Sequence, residues 1–321
     1  MLRRTLLFTS FALALAISGC TTTQRSVSAN QNSRVSIVVI HHTTSNFEDS
    51  YYVLTEPTSR PVSSHYLIPE PGDPTYGKSR LKVHQLVDEN RRAWHAGVSH
   101  WGGKDGINDQ SIGIELVNQT WCHASKENTD PETGYPERIC FYPDFDDGQL
   151  ALLTDLLGEI LERHPDIKPT HIVGHSDVAP DRKIDPGPRF PWERLARLGY
   201  GAWFDDETVI RYWERFLGEP LPLINIQEAL ATYGYGIEPT GEDDEQTRDV
   251  LRAFQLHFRP YRVTREADVE TTAILFALIE KYYPERLDAL LLVEETLEES
   301  IEEPPMPGEE TDATPETEAT S

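Results

Sequence analysis

The sequence predicts an α/β domain followed by a smaller all-α domain of three helices. Three observations carry this expectation. Residues 35–40 are almost continuously apolar and β-branched (Val35, Ile37, Val38, Val39, Ile40), the pattern of a central strand covered on both faces. Residues 147–164 set Leu150, Leu153, Leu157, Ile160 and Leu161 on one helical face, and Pro165 ends the run. After Gly218, Pro220 and Pro222 the pattern becomes wholly helical, in segments 226–233, 244–257 and 269–282. A chain of 321 residues is long enough for two modest domains with tails.

The chain opens with Arg3 and Arg4, then an apolar run from Leu6 to Ile17, too short to span a bilayer. Ile17-Ser18-Gly19-Cys20 follows. Small residues before a cysteine just after such a run resemble a bacterial lipoprotein signal, which implies cleavage before Cys20 and acylation of that cysteine. Thr21 rather than an aspartate after Cys20 implies anchoring to the outer membrane, with the chain facing the periplasm. Residues 1–19 are thus expected to be a signal peptide and residues 20–33 a polar tether. A formal net charge of −25 argues against a nucleic-acid partner.

The first strand ends in His41-His42-Thr43-Thr44, and the carboxyl end of a buried strand is where α/β sheets display chemistry. Residues 62–68 and 83–87 read as two further strands. His65 and His84 lie inside them and read as packing groups. Arg92-Ala93-Trp94-His95-Ala96-Gly97 puts an aromatic beside a histidine and a glycine, which suits a sugar or peptide cleft and equally a packed loop. Residues 111–118 alternate, with Ile112, Ile114 and Leu116 on one face and Gly113, Glu115 and Val117 on the other. A lone carboxylate in so apolar a strand is costly unless paired, hydrogen-bonded or near a metal, and burial raises its pKa. Residues 119–144 show no periodicity and read as a long insertion. They hold Cys122 and Cys140, which can pair in an oxidising compartment or remain two free thiols.

A short strand at 171–173 leads into residues 174–188, where His175, Lys183 and Asp185 lie within eleven positions. The prolines and glycines there argue against a helix across the stretch. One histidine and one aspartate are too few for catalytic zinc, which takes three protein ligands and an open position, so a third ligand must come from elsewhere.

Five ordered blocks then resemble a known family: Val39-Ile40-His41-His42-Thr43, Ser64-His65-Tyr66-Leu67-Ile68, Ala93-Trp94-His95-Ala96-Gly97, Ile112-Gly113-Ile114-Glu115-Leu116-Val117-Asn118, and the run from Gly174-His175-Ser176-Asp177 to Arg182-Lys183-Ile184-Asp185-Pro186. Together they resemble the type-2 zinc N-acetylmuramoyl-L-alanine amidases, kin of the peptidoglycan recognition proteins. The resemblance implies a mixed β-sheet flanked by helices over residues 34–216. It implies Zn²⁺ held by His41, His175 and Asp185, with His42 outside the ligand set. Glu115 and Lys183 match the catalytic glutamate and lysine. His65, Trp94, His95 and Asn118 are the expected substrate-binding residues. The implied reaction is hydrolysis of the amide between N-acetylmuramic acid and L-alanine in peptidoglycan or muropeptides, by a monomer.

In the second domain, expected over residues 217–288, Asp249-Val250-Leu251-Arg252-Ala253-Phe254-Gln255 resembles a helix of the small peptidoglycan-binding module. Residues 289–321 read as an acidic disordered tail, since residues 294–321 hold eleven acidic residues and no basic one. The competing reading is a non-catalytic lipoprotein that binds peptidoglycan and tethers membrane to wall. It leaves the metal-competent residues without a purpose.

Overall fold

The computed structural model describes residues 26, 28–30, 33–129 and 136–298, without the side chains of residues 136–138 and 293–298. The expected signal peptide, Cys20 and most of the acidic tail lie outside the described residues. Among the described residues no helix is long and apolar enough to cross a membrane.

In chain order the elements are β1 (Ile37–His42), α1 (Phe47–Thr55), β2 (Tyr66–Ile68), β3 (His84–Gln85), β4 (His100–Trp101), β5 (Lys104–Asp105), β6 (Ser111–Leu116), β7 (Trp121–Thr129), β8 (Pro136–Phe141), α2 (Asp147–Arg163), β9 (Ile172–Gly174), α3 (His175–Val178), α4 (Trp192–Arg197), α5 (Asp206–Gly218), α6 (Leu223–Tyr233), α7 (Glu245–Phe258), α8 (Val269–Tyr282) and α9 (Pro284–Glu298). The main sheet is mixed, in the order β3-β2-β6-β1-β9. The β2–β6, β6–β1 and β1–β9 pairs are parallel, and β2–β3 is antiparallel.

Strand alternation divides this sheet between two cores. Val38, Ile40, Ile112, Ile114 and Leu116 pack with Leu150, Leu153, Leu157 and Ile160 of α2. Ile37 and Val39 face the other way and share a cluster with Trp101, Val173, Val178 and the C-terminal helices. The polar residues His41 and Glu115 occur on that second face, at the carboxyl ends of their strands.

The C-terminal helices repeat one device. Gln227 of α6 accepts from the backbone N–H groups of Thr240 and Gly241 and donates to the Glu242 carbonyl and Thr247 hydroxyl. Gln255 of α7 does the same with Thr264, Arg265, Glu266 and Thr271. Asp244 and Asp268 then cap α7 and α8 by accepting from the N–H three residues on.

Four expectations need correction. The insertion after residue 118 is a β-hairpin, β7–β8, rather than an aperiodic loop, while the expected pairing of Cys122 with Cys140 is present: they are register partners joined by a 2.01 Å disulfide. The stretch from Gly174 opens with one helical turn, α3, which fits before the first proline at Pro180. The boundary after residue 216 cuts a packed unit, because Tyr212 and Phe216 of α5 lie against Phe276 of α8. The tail does not begin at residue 289: α9 continues to Glu298, with Leu290 buried in the helical core and Leu287 and Leu291 packed against it. Three apolar residues at helical spacing outweigh the acidic composition there.

Candidate active site

Parallel pairing brings the site together. His41 on β1 and Glu115 on β6 are register partners, and β9, on the other side of β1, runs directly into α3 and His175. The loop after α3 returns Asp185 to the same place. His41 Nδ1 lies 3.0 Å from His175 Nδ1, and both nitrogens lie 3.1 Å from Asp185 Oδ2. The two histidines are buried, at 1% and 4% exposure.

The surrounding hydrogen bonds fix which ring nitrogens carry protons. Ser111 donates its hydroxyl hydrogen to the Ile107 carbonyl at 2.7 Å, so towards His95 Nε2, 3.1 Å away, it acts as acceptor. His95 Nε2 therefore carries the proton, and its bare Nδ1 accepts from His41 Nε2 at 3.0 Å. That leaves His41 Nδ1 without a proton. His175 Nε2 donates to the Ala96 carbonyl at 3.3 Å, which leaves its Nδ1 bare as well.

Charge state agrees with this arrangement. Burial, reinforced by His175, lowers the His41 pKa to about 4, and burial holds His95 well below its ordinary value. Two imidazole nitrogens and a carboxylate oxygen thus converge within 3.1 Å of one another, and a cation between them would engage a lone pair of each. Two imidazole nitrogens and one carboxylate oxygen are a zinc donor set, and their separations are close to the roughly 3.3 Å edge of a tetrahedron with ~2.0–2.1 Å bonds. The residues fit the ion.

Burial pushes the Glu115 carboxyl up to about 8, with Asp185 adding to the shift and Lys183 opposing it. Glu115, Lys183, Trp94, His95 and the three donor residues line one cleft of about 640 Å³, with Thr120 and Cys122 at the hairpin side.

Of the four expected substrate-binding residues, the structure leaves only Trp94 free for that task. It is exposed at the cleft wall. His95 lines the cleft, but both of its ring nitrogens are engaged with Ser111 and His41. Gly113 makes this possible: a Cβ there would meet the His95 ring at 2.5 Å. His65 is fully buried, accepts from the Gly113 N–H at 3.0 Å and donates to the Arg91 carbonyl at 3.1 Å. Asn118, also buried, accepts from the Thr120 hydroxyl at 2.8 Å and donates to the Pro143 carbonyl at 3.3 Å, holding the base of the hairpin. Both lie just outside strand ends, buried and with their polar atoms engaged by these neighbours, which is why neither reaches the cleft.

Several contributors carry no chemical signature in the sequence. Asn108 accepts from the His95 and Ala96 N–H groups at 3.0 and 2.8 Å. Arg182 donates to the Ala96 and Val98 carbonyls, tying the ligand loop to the His95 loop.

A carboxyl of raised pKa next to a donor set that fits a cation is equipment suited to a hydrolase. The comparisons agree. A family model for N-acetylmuramoyl-L-alanine amidase matches residues 31–188, and one for a peptidoglycan binding domain matches residues 222–275. The chain is 42% identical over 250 residues to the N-acetylmuramoyl-L-alanine amidase AmiD of Escherichia coli (strain K12), covering 78% of this chain and 84% of that protein. The crystal structure of AmpDH3 from Pseudomonas aeruginosa in complex with anhydromuramic pentapeptide is 41% identical, with a TM-score of 0.71 over 84% of this chain and 99% of that one. E. coli AmiD in complex with the substrate anhydro-N-acetylmuramic acid-L-Ala-D-gamma-Glu-L-Lys is 39% identical, with a TM-score of 0.67 over 80% and 93%. The chain belongs to the N-acetylmuramoyl-L-alanine amidases.

Proposed function

We propose that the chain cleaves the amide between the lactyl group of N-acetylmuramic acid and L-alanine in muropeptides and peptidoglycan, using zinc held by His41, His175 and Asp185. The observation that carries this reading is the convergence of His41 Nδ1, His175 Nδ1 and Asp185 Oδ2 beside Glu115. Bound there, the ion acidifies water and polarises a carbonyl. The chain's own residues do the rest. Glu115 takes the proton of the attacking water and returns it to the departing L-alanine amine. Lys183 lines the same cleft and offers a positive charge to the carbonyl oxygen as it becomes an oxyanion. Trp94 presents an apolar face to the substrate. The products are a glycan with a free lactyl carboxylate and a peptide beginning with L-alanine.

The α6–α8 module adds affinity for the wall, and one chain supplies the whole site, in keeping with a monomer. We further infer that Cys20 carries the lipid that holds the chain on the outer membrane. The apolar run before Cys20 supports this, as does a disulfide that calls for an oxidising compartment. Labelling with palmitate tests it: Cys20→Ser should lose the label and appear in the soluble fraction.

The activity is tested by incubating purified chain with anhydro-muropeptides and with sacculi, then analysing products by mass spectrometry. Peptides with a free L-alanine amine are expected, and a chelator should stop their release. Cleavage at another bond would refute the reading.

A further inference from the structure

The helical module meets the amidase domain at the turn that carries His175. Asp177, two residues along α3, is fully buried. Its Oδ2 accepts from the Gly174 backbone N–H at 2.7 Å and from His257 Nδ1 at 2.8 Å, and its Oδ1 accepts from the Tyr235 hydroxyl at 2.7 Å. Gly174 belongs to the amidase domain. Tyr235 follows α6, and His257 lies on α7. A buried carboxylate is tolerated only with donors around it, and two of these three come from the other module.

The contact is deep. The His257 ring stacks on Trp192 with centroids 3.9 Å apart. Tyr235 packs edge-on against Trp101 at 4.9 Å, and Val178 lies in the same apolar cluster as Leu230, Phe254 and Phe258. Arg252 of α7 donates to the Pro180 carbonyl, four residues before Ile184. Burial, and then the charge of Asp177, push the Tyr235 hydroxyl well above its ordinary pKa, so it remains a donor.

We propose that Tyr235 and His257 are positioning residues for the amidase site: through Asp177 the helical module holds the turn that aims His175. The proposal rests on the reading of His175 as a metal ligand. It makes the wall-binding module a working part of the active centre, so that removing the module should impair chemistry as well as adhesion.

The test compares full-length Tyr235→Phe, His257→Leu and His257→Asn with the parent. Tyr212→Phe serves as control: it removes a 2.6 Å bond to Glu280 in the helical module, away from the turn. Zinc affinity is measured by competition with a chelator, and kcat and KM on a soluble muropeptide, well below each melting temperature. Tyr235→Phe and His257→Leu should bind zinc about 10- to 100-fold more weakly. Their kcat should fall while KM stays within about twofold. His257→Asn, which keeps a donor near the Nδ1 position, should recover most of the loss, and Tyr212→Phe should match the parent. Should His257→Leu not fold, Tyr235→Phe, which removes a single oxygen, decides. Parental zinc affinity and kcat with only a lowered melting temperature would overturn the proposal, leaving Asp177 as a glue between modules. A parent that binds no zinc would instead overturn the ligand assignment, and this inference with it.

Discussion

His41 and Glu115 are register partners on the parallel strands β1 and β6. Residues paired in this way point to the same face of a sheet. The pairing therefore sets the proposed ligand and the proposed proton carrier side by side without a loop between them. It also separates their roles: His41 Nδ1 faces His175 and Asp185, whereas Glu115 forms no part of the donor cluster.

The separation predicts that Glu115→Gln keeps the metal and loses the reaction. Zinc content should match the parent, and kcat should fall about 10²- to 10⁴-fold, the usual contribution of a positioned acid–base group. Loss of zinc in this variant would contradict the assigned role.

The acidity of Glu115 should depend on the metal. In metal-free chain its carboxyl should titrate at about 8, observable by infrared or NMR. A nearby cation favours the ionised form, so zinc should lower this value. There is a consequence for stability. Between the unfolded value of 4.5 and the folded value of about 8, the folded chain holds a proton that the unfolded chain has released. This contribution to metal-free stability is present below pH 4.5 and lost as pH rises to 8. Glu115→Gln should remove it, so urea unfolding of the variant should fall less steeply over that window. Identical slopes would count against the half-buried, protonated carboxyl.

His95 should act through His41. His95→Ala deletes the acceptor that keeps the His41 proton on Nε2, and zinc affinity should drop about 10- to 100-fold. Ser111→Ala should have a smaller effect in the same direction, because it acts one hydrogen bond further out. If His95 instead contacted substrate alone, KM would rise and zinc affinity would not change.

The disulfide should shape the cleft rather than the donor cluster. Peptide mapping without reduction should recover Cys122 joined to Cys140. In the double Cys→Ser variant zinc affinity should hold while KM rises, because Thr120 and Cys122 line the cleft and the hairpin loses a cross-link worth about 3 kcal/mol for a loop of this size.

Much of this was legible in the sequence because the signals are local. A β-branched run ending in histidines is a strand with a site at its tip, and the strand of alternating Ile112, Ile114 and Leu116 puts Glu115 opposite the core. The ligand loop carries its own prolines and glycines. What the sequence hid was long-range. Nothing in residues 119–144 marks a hairpin, since its strands are mostly exposed and lack the alternation that one buried face imposes. His65 reads as a packing group from its neighbours, and its bonds to Gly113 and Arg91 agree; only the resemblance placed it, with Asn118, in the cleft, and the Asn118 partners Thr120 and Pro143 could not be seen from the sequence. Asp177 reads as one more polar residue in a loop, and its partners lie 58 and 80 positions away.

Whether His41, His175 and Asp185 hold one catalytic ion is decided by the zinc content of the parent and of Asp185→Ala, taken with turnover on an anhydro-muropeptide. The parent should carry about one zinc per chain and release L-alanine-terminated peptide. Asp185→Ala should keep the parental circular dichroism spectrum, lose the zinc and lose the reaction together. Full zinc occupancy in a folded Asp185→Ala chain would rule out Asp185 as a ligand.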